Sequence, residues 1–268
     1  MNISVISPGF RNTGNTTLAI LTGLELAQRG KQVCLTHVNF LSSSFFNYMN
    51  LLLYEDRTTT PSQIVKLIRE GALNPDDIHD YCRQVTDNLE VFSNNSRALT
   101  SEDMKLMLDY ICTTFPHEFK VLDVDIDTNN LSANKHVQEV LKYSDAVIIN
   151  LNPSVEQLNY FRSNGKELLD IIGGNKIIIV INKYNDIVYS LKEIIEIAGI
   201  KKLGKNLVVL RYNPWIEWGT NHAKIAEVYK KIAIRDKRVI DVSKDLSSLG
   251  SKIVKIRTLL DKMAGGKK

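Results

Sequence analysis

Ser7-Pro8-Gly9-Phe10-Arg11-Asn12-Thr13-Gly14-Asn15-Thr16-Thr17 stands between an apolar run, Ile3–Ser7, and a helical pattern, Thr17–Gly30. From Gly9 to Thr16 the spacing is G-x-x-x-x-G-x-T. Glycines allow the backbone angles that turn successive N–H groups inward on an anion. The N-terminus of the following helix adds the positive end of its dipole, and a threonine hydroxyl at this spacing can ligate magnesium. A glycine pair in a strand-to-helix turn also occurs with no ligand at all. Placement between the first strand and the first helix is what favours a phosphate cradle here. Asn15 stands where such a loop has the lysine that reaches the terminal phosphates, and a neutral amide cannot replace that cation.

Outward from this loop, short apolar runs recur at Val33–Val38, Leu89–Phe92, Lys120–Val124, Ala146–Leu151, Ile177–Ile181 and Leu207–Leu210. Several are continuously apolar, as strands covered on both faces are, and helical stretches separate them. This predicts βαβ units and an α/β fold: a doubly wound, mostly parallel sheet flanked by helices. Thr17–Gly30 puts Leu18, Leu21, Leu24 and Ala27 on one face, and Thr100-Ser101-Glu102-Asp103 has the capping chemistry of a helix start. Between Phe40 and Asp87 no strand is evident, and Pro61–Ile68 and Pro75–Val85 are expected to be helical. No linker, repeat or low-complexity segment is visible, so residues 1–268 are expected to form a single domain.

With 44% hydrophobic and 24% charged residues the chain can bury a sizeable core. No run approaches the roughly 18 apolar residues of a membrane span, and Met1-Asn2-Ile3-Ser4-Val5 lacks the basic start of a signal peptide, which predicts a cytoplasmic protein. Cys34, Cys82 and Cys112 are odd in number and widely spaced. That argues against a disulfide framework or a zinc site and for reduced thiols in the core. A formal charge of +4 is compatible with contact to nucleic acid or anionic lipid but selects neither.

The order of pieces resembles the ParA/MinD family of deviant P-loop ATPases over nearly the whole chain. The family's loop reads K-G-G-x-G-K-T-T. Aligned on Gly14-Asn15-Thr16-Thr17, its first lysine, which crosses a dimer interface to the partner's nucleotide, falls at Phe10, with Arg11 one position away. Thr36-His37-Val38-Asn39 matches the stretch that holds D-x-D in the family, with both carboxylates absent. Asn88–Ser93 resembles the third strand, Phe119-Lys120-Val121-Leu122-Asp123 the Walker B strand, and Ser144–Pro153 the strand and loop after it. Ile181-Asn182-Lys183-Tyr184-Asn185 resembles the strand end that reads the adenine edge, and Arg211-Tyr212-Asn213-Pro214 the late loop that flanks the base.

The resemblance implies a site for ATP or ADP with magnesium. Gly9, Arg11, Asn12, Thr13, Gly14, Asn15, Thr16 and Thr17 would hold the phosphates, Asn182, Lys183, Tyr212 and Pro214 the base, and Thr16 and Asp123 the metal. Three positions that act on the γ-phosphate or the attacking water are changed together, at Asn15, Phe10 and His37. Phosphoryl transfer is catalysed by positioned charge. The implied reading is therefore a pseudo-ATPase that binds nucleotide weakly, working as a spatial-organisation or partitioning factor. The TadZ/CpaE-like branch, with its unusual P-loops, is the nearest functional analogy. The alternative is an active ATPase switch that uses Arg11 as its cation. A homodimer through the P-loop face and a further protein partner are also implied.

Two surfaces give other expectations. Lys230, Lys231, Arg235, Lys237 and Arg238, with Lys201, Lys202 and Lys205, would suit non-specific DNA. They are interleaved with Asp236 and Asp241 and no aromatic set is evident beside them, as on an ordinary solvated helix face. The tail Lys252–Met263 places Ile253, Ile256, Leu260 and Met263 on one stripe, which suits a membrane surface or a last helix packed on the sheet. Trp215 and Trp218 read as core or interface aromatics. His37, at a strand end near the site, is a candidate base, though a lone histidine is more often structural; Asp123, Asp125 and Asp127 would form a metal cluster only if the strand ran on past Asp123, and Asp125 and Asp127 read instead as loop residues.

Overall fold

The computed structural model describes residues 1–9, 13–38, 44–51, 61–92, 100–124, 135–173 and 176–265. The strands are β1 (Asn2–Ile6), β2 (Val33–His37), β3 (Cys82–Thr86), β4 (Leu89–Phe92), β5 (Phe119–Val124), β6 (Ala146–Leu151), β7 (Ile177–Tyr184) and β8 (Leu207–Arg211). They form one sheet in the order β3-β4-β2-β5-β1-β6-β7-β8. Every neighbouring pair is parallel except β3 with β4. All residues of β1, β2, β5 and β6 are buried, which explains their unbroken apolar runs: a strand covered on both faces has no polar face to alternate with. The seven strands expected from the sequence are present.

The eighth, β3, corrects the expectation of a helix over Pro75–Val85. Asn74 caps Asp76 N–H and Pro75 opens a 3₁₀ helix, but this ends at Tyr81 and the chain turns directly into β3. β3 runs antiparallel along the sheet edge, with an irregularity between Gln84 and Thr86.

Helices α1 (Asn15–Gln28), α2 (Ser44–Met49), α9 (Ile225–Ala233) and α10 (Ile240–Gly265) cover one face. The opposite face is covered by α3 (Pro61–Arg69), α4 (Ser101–Thr114), α5 (Lys135–Tyr143), α6 (Val155–Ile172) and α7 (Leu191–Ala198). Alternate residues of one strand feed the two cores: Val147, Ile149 and Leu151 enter the second, Ala146 and Ile148 the first. α4 starts with the expected capping box, in which Thr100 and Asp103 exchange side-chain and backbone hydrogen bonds.

The long last helix packs against α1 and β8 through Val242, Asp245, Leu246, Leu249, Gly250 and Ile253. A Cβ at Gly250 would lie 2.7 Å from Arg29 Nε and 2.8 Å from Glu25 Cγ, so the glycine is what lets α10 approach α1. The tail stripe is divided. Ile253 is buried and Ile256 packs on the core, while Met263 is 71% exposed. Among the described residues no helix is long and apolar enough to cross a membrane.

Candidate functional site

The strand-to-helix turn sits at the C-terminal end of β1, where an open α/β sheet binds ligands. Gly9 and Gly14 have φ of +76° and +79°, in the region glycine alone enters without penalty. Gly14 is the N-cap of α1; no side chain caps it and the first turn carries no acidic residue, so the helix start is open to an anion. Thr16 and Thr17 lie half-buried on that first turn, and Thr17 Oγ1 is 3.4 Å from Thr220 Oγ1. Phe10, Arg11 and Asn12, like Asn39, Asp125 and Asp127, lie outside the described residues.

The loop is anchored by amides. Asn182 Nδ2 donates to Thr13 O at 3.3 Å, and Asn150 Nδ2 donates to the same carbonyl at 3.4 Å. Asn182, which the resemblance assigns to the adenine edge, thus reaches the loop through Nδ2, and its Oδ1 accepts from Lys183 N–H at 2.9 Å, which helps hold Lys183 at a φ of +54°. A Cβ on Gly14 would stand 3.2 Å from Asn182 Nδ2, so the second loop glycine is also the one that lets Asn182 come close.

At the centre, Asn15 replaces the lysine with a specific alternative. Its Nδ2 donates to Val5 O at 2.9 Å and to Asp123 Oδ1 at 2.7 Å, both buried. The second carboxylate oxygen, Asp123 Oδ2, lies 3.2 Å from His37 Nδ1. Asp123 is fully buried and His37 nearly so, with the imidazole stacked on Phe45 at 3.8 Å between ring centroids and 16° between planes. One oxygen of the expected metal carboxylate is therefore taken by Asn15, while Oδ2 is buried without a hydrogen-bond partner among the described residues, close to the imidazole but not bonded to it. Asn15 Oδ1 is buried with no hydrogen-bond partner among the described residues. An acceptor there offers nothing to a phosphate oxygen.

Beside the loop lies an open cavity. Its lining includes Gly14, Thr17, Asn182, Lys183, Tyr212 and Asn213, so the loop, the β7 end and the β8 end come together as the sequence implied. The mixed polar and apolar wall suits a nucleoside. Tyr212 is half-exposed and donates to Glu217 Oε2 at 2.7 Å. Pro214 is exposed at the first position of α8 (Pro214–Asn221), with Asn213 as its side-chain cap.

The fit to a magnesium nucleotide is thus uneven. The glycine loop, the helix start and the cavity suit base and phosphate backbone. The lysine position of the loop holds a neutral amide that takes Asp123 Oδ1, and Lys183, on the cavity wall beside Gly14, is a cation from outside the loop.

No family model matches this chain, and none of the curated proteins searched does either. Solved structures do match. MinD from Pyrococcus horikoshii, solved with Mg-ADP, is 16% identical with a TM-score of 0.64, covering 100% of this chain and 98% of that one. The Aquifex aeolicus MinC:MinD cell division complex matches with a TM-score of 0.67, 17% identity and coverage of 95% and 96%. A ParA family ATPase from Chlorobium tepidum follows at 0.62, 14% identity and coverage of 93% and 98%. The fold is that of the MinD/ParA P-loop ATPases. At these identities the likeness establishes architecture, and function has to be argued from the site.

Sequence reasoning found the loop and the cavity wall but missed the Asn15–Asp123–His37 constellation. Its only signal in the sequence was the joint change at Asn15 and His37 while Asp123 remained. It also missed an aromatic set beside the basic cluster. Trp215 on α8 lies beneath Lys231 Nζ at 4.9 Å and the Arg238 guanidinium at 5.0 Å. Arg238 is at the same time paired with Asp236 at 2.6 Å.

Proposed function

We propose that this chain is a ParA/MinD-like spatial-organisation or partitioning factor that works as a pseudo-ATPase, binding a nucleotide weakly and hydrolysing it little or not at all. The observation that carries the reading is the hydrogen bond from Asn15 Nδ2 to Asp123 Oδ1. In a working P-loop the lysine neutralises the terminal phosphates and the Walker B carboxylate supports magnesium. Here an amide takes the lysine's place and spends its donor on that carboxylate, so the two parts cancel within the protein.

A nucleotide would enter with its base in the cavity beside Asn182, Lys183 and Tyr212 and its phosphates on the loop N–H groups. Thr16 would be the remaining ligand for magnesium. Such a protein would act through dimerisation and through a protein partner rather than through turnover. That is the kind of role for which the TadZ/CpaE-like branch is the nearest analogy, and it would be performed in the cytoplasm as one domain.

Calorimetry with ATP, ADP and magnesium beside a hydrolysis assay tests the proposal. The expected outcome is weak binding, with ATP and ADP alike, and turnover at background. Magnesium-dependent turnover abolished by Asp123→Ala would overturn it in favour of an active switch using Arg11.

A second reading, non-specific DNA contact, is favoured by Lys231 and Arg238 meeting over the Trp215 ring, which gathers two cations at one place on the surface for a phosphate backbone. Its signature is a gel shift that weakens steeply with salt.

A further inference from the structure

Far from the loop, at the β3 edge of the sheet, the fold assembles residues that the sequence keeps apart. Cys34 on β2 and Glu90 on β4 are direct parallel neighbours, so their side chains share a face. Cys82 opens β3 opposite Phe92, two residues from Glu90 on the same face of β4. His117 lies just before β5, which pairs with β2 on its other side. One ligand atom from each of Cys34, Cys82 and His117 lies within 4.8 Å of the others, and all three residues are buried. The wide spacing of the cysteines argues against a zinc site when read along the chain; across the sheet that argument fails.

Glu90 Oε2 stands 2.7 Å from His117 Nε2 and 2.8 Å from His79 Nδ1, so one carboxylate braces both rings. His117 Nδ1 is buried without a hydrogen-bond partner among the described residues. A half-satisfied imidazole buried beside two thiols is what an unfilled ligand set presents, since buried polar groups are normally paired. Around zinc, thiolate and imidazole ligand atoms stand about 3.3–3.8 Å apart, given the usual metal–ligand bond lengths. Closing the observed separations to that range takes shifts of about 1 Å. His79, Cys82 and Glu90 also line a surface cavity, which gives a cation a way in.

We propose that Cys34, Cys82 and His117 bind a thiophilic divalent cation of the zinc class, with Glu90 orienting the His117 ring through Nε2 and His79 bracing Glu90. Two soft sulfurs and an imidazole select zinc over magnesium or calcium. Metal entry would displace the thiol protons into solvent as the sulfurs become ligands.

Cobalt(II) is the probe. The full chain, reduced and stripped with a chelator, is titrated with cobalt and then with zinc. The expected result is one cobalt per chain with the visible ligand-field bands of a tetrahedral site and near-ultraviolet thiolate charge transfer, bleached by equimolar zinc. Cys34→Ala, Cys82→Ala and His117→Ala should each abolish the bands, and Cys112→Ala, a buried thiol outside the cluster, should keep them. Absence of bands in the reduced wild type overturns the proposal. So does their survival in the Cys34 and Cys82 variants, or their loss in Cys112→Ala. Where a variant does not fold, alkylation of the wild type with peptide mapping decides: zinc should shield Cys34 and Cys82, and equal labelling with and without zinc overturns the site.

Discussion

At residue 15 one side chain decides whether a cation stands at the lysine position of the loop. Asn15→Lys would return a cation to a position buried against Asp123. A charge-assisted bond to phosphate contributes roughly 1.5–3 kcal/mol, less what the new ammonium loses by leaving the carboxylate. ADP affinity should therefore rise by about tenfold. Calorimetry on the folded variant reads this directly, and unchanged affinity would mean the loop no longer accepts phosphate. Asp123→Ala asks the opposite question. It removes an acceptor from Asn15 Nδ2 and the carboxylate beside buried His37, so stability should fall by about 3 kcal/mol with background turnover unchanged. Urea unfolding with an unaltered m-value measures the first and the hydrolysis assay the second. A catalytic aspartate would show the reverse pattern.

Among the elements, α10 is fastened to the end of β8 by Asp245, which accepts from Arg211 N–H at 3.0 Å and lies 3.5 Å from the Arg211 guanidinium. Burial nevertheless outweighs Arg211 and raises this carboxyl above its ordinary value. The folded chain then holds a proton that the unfolded chain has already released, so stability falls as pH rises from the ordinary carboxylate range through the raised value. Asp245→Asn keeps an oxygen for the Arg211 N–H and removes that slope. The melting temperature of the variant should depend less on pH between about pH 4 and pH 7, and at pH 7 should be no lower than that of the parent. At this scale the sequence is most legible where strands are buried on both faces, because their apolar runs have no competing explanation. β3 was hidden for a physical reason. Asn74-Pro75-Asp76 is a sound helix start, and Cys82–Thr86 is a short edge strand with a half-polar burial pattern that pairs on one side only. The loop and the cavity wall were legible from local spacing. The Asn15–Asp123 bond, 108 residues apart along the chain, and the meeting of Cys34, Cys82 and His117 depend on strand order, which no local pattern contains.

For the whole molecule, the fold places the loop at an exposed sheet end, where a closed two-fold pair would bring two loops together. ATP can shift a monomer–dimer equilibrium only by its differential affinity for the dimer, and weak phosphate contacts keep that difference small. Dimerisation is therefore expected to be independent of nucleotide or absent, as sedimentation velocity with and without ATP will read. A strong ATP-driven dimer lost in Arg11→Ala would favour the active switch. The two asparagines that grip the Thr13 carbonyl from β6 and β7 carry a last consequence. Ion pairs at a surface weaken as salt rises, whereas hydrogen bonds between neutral amides carry no such dependence. The turn at Thr13, moored in this way, should hold its place from dilute to concentrated salt. Whatever docks against it would meet the same surface in a cell shrunken by osmotic stress as in a growing one.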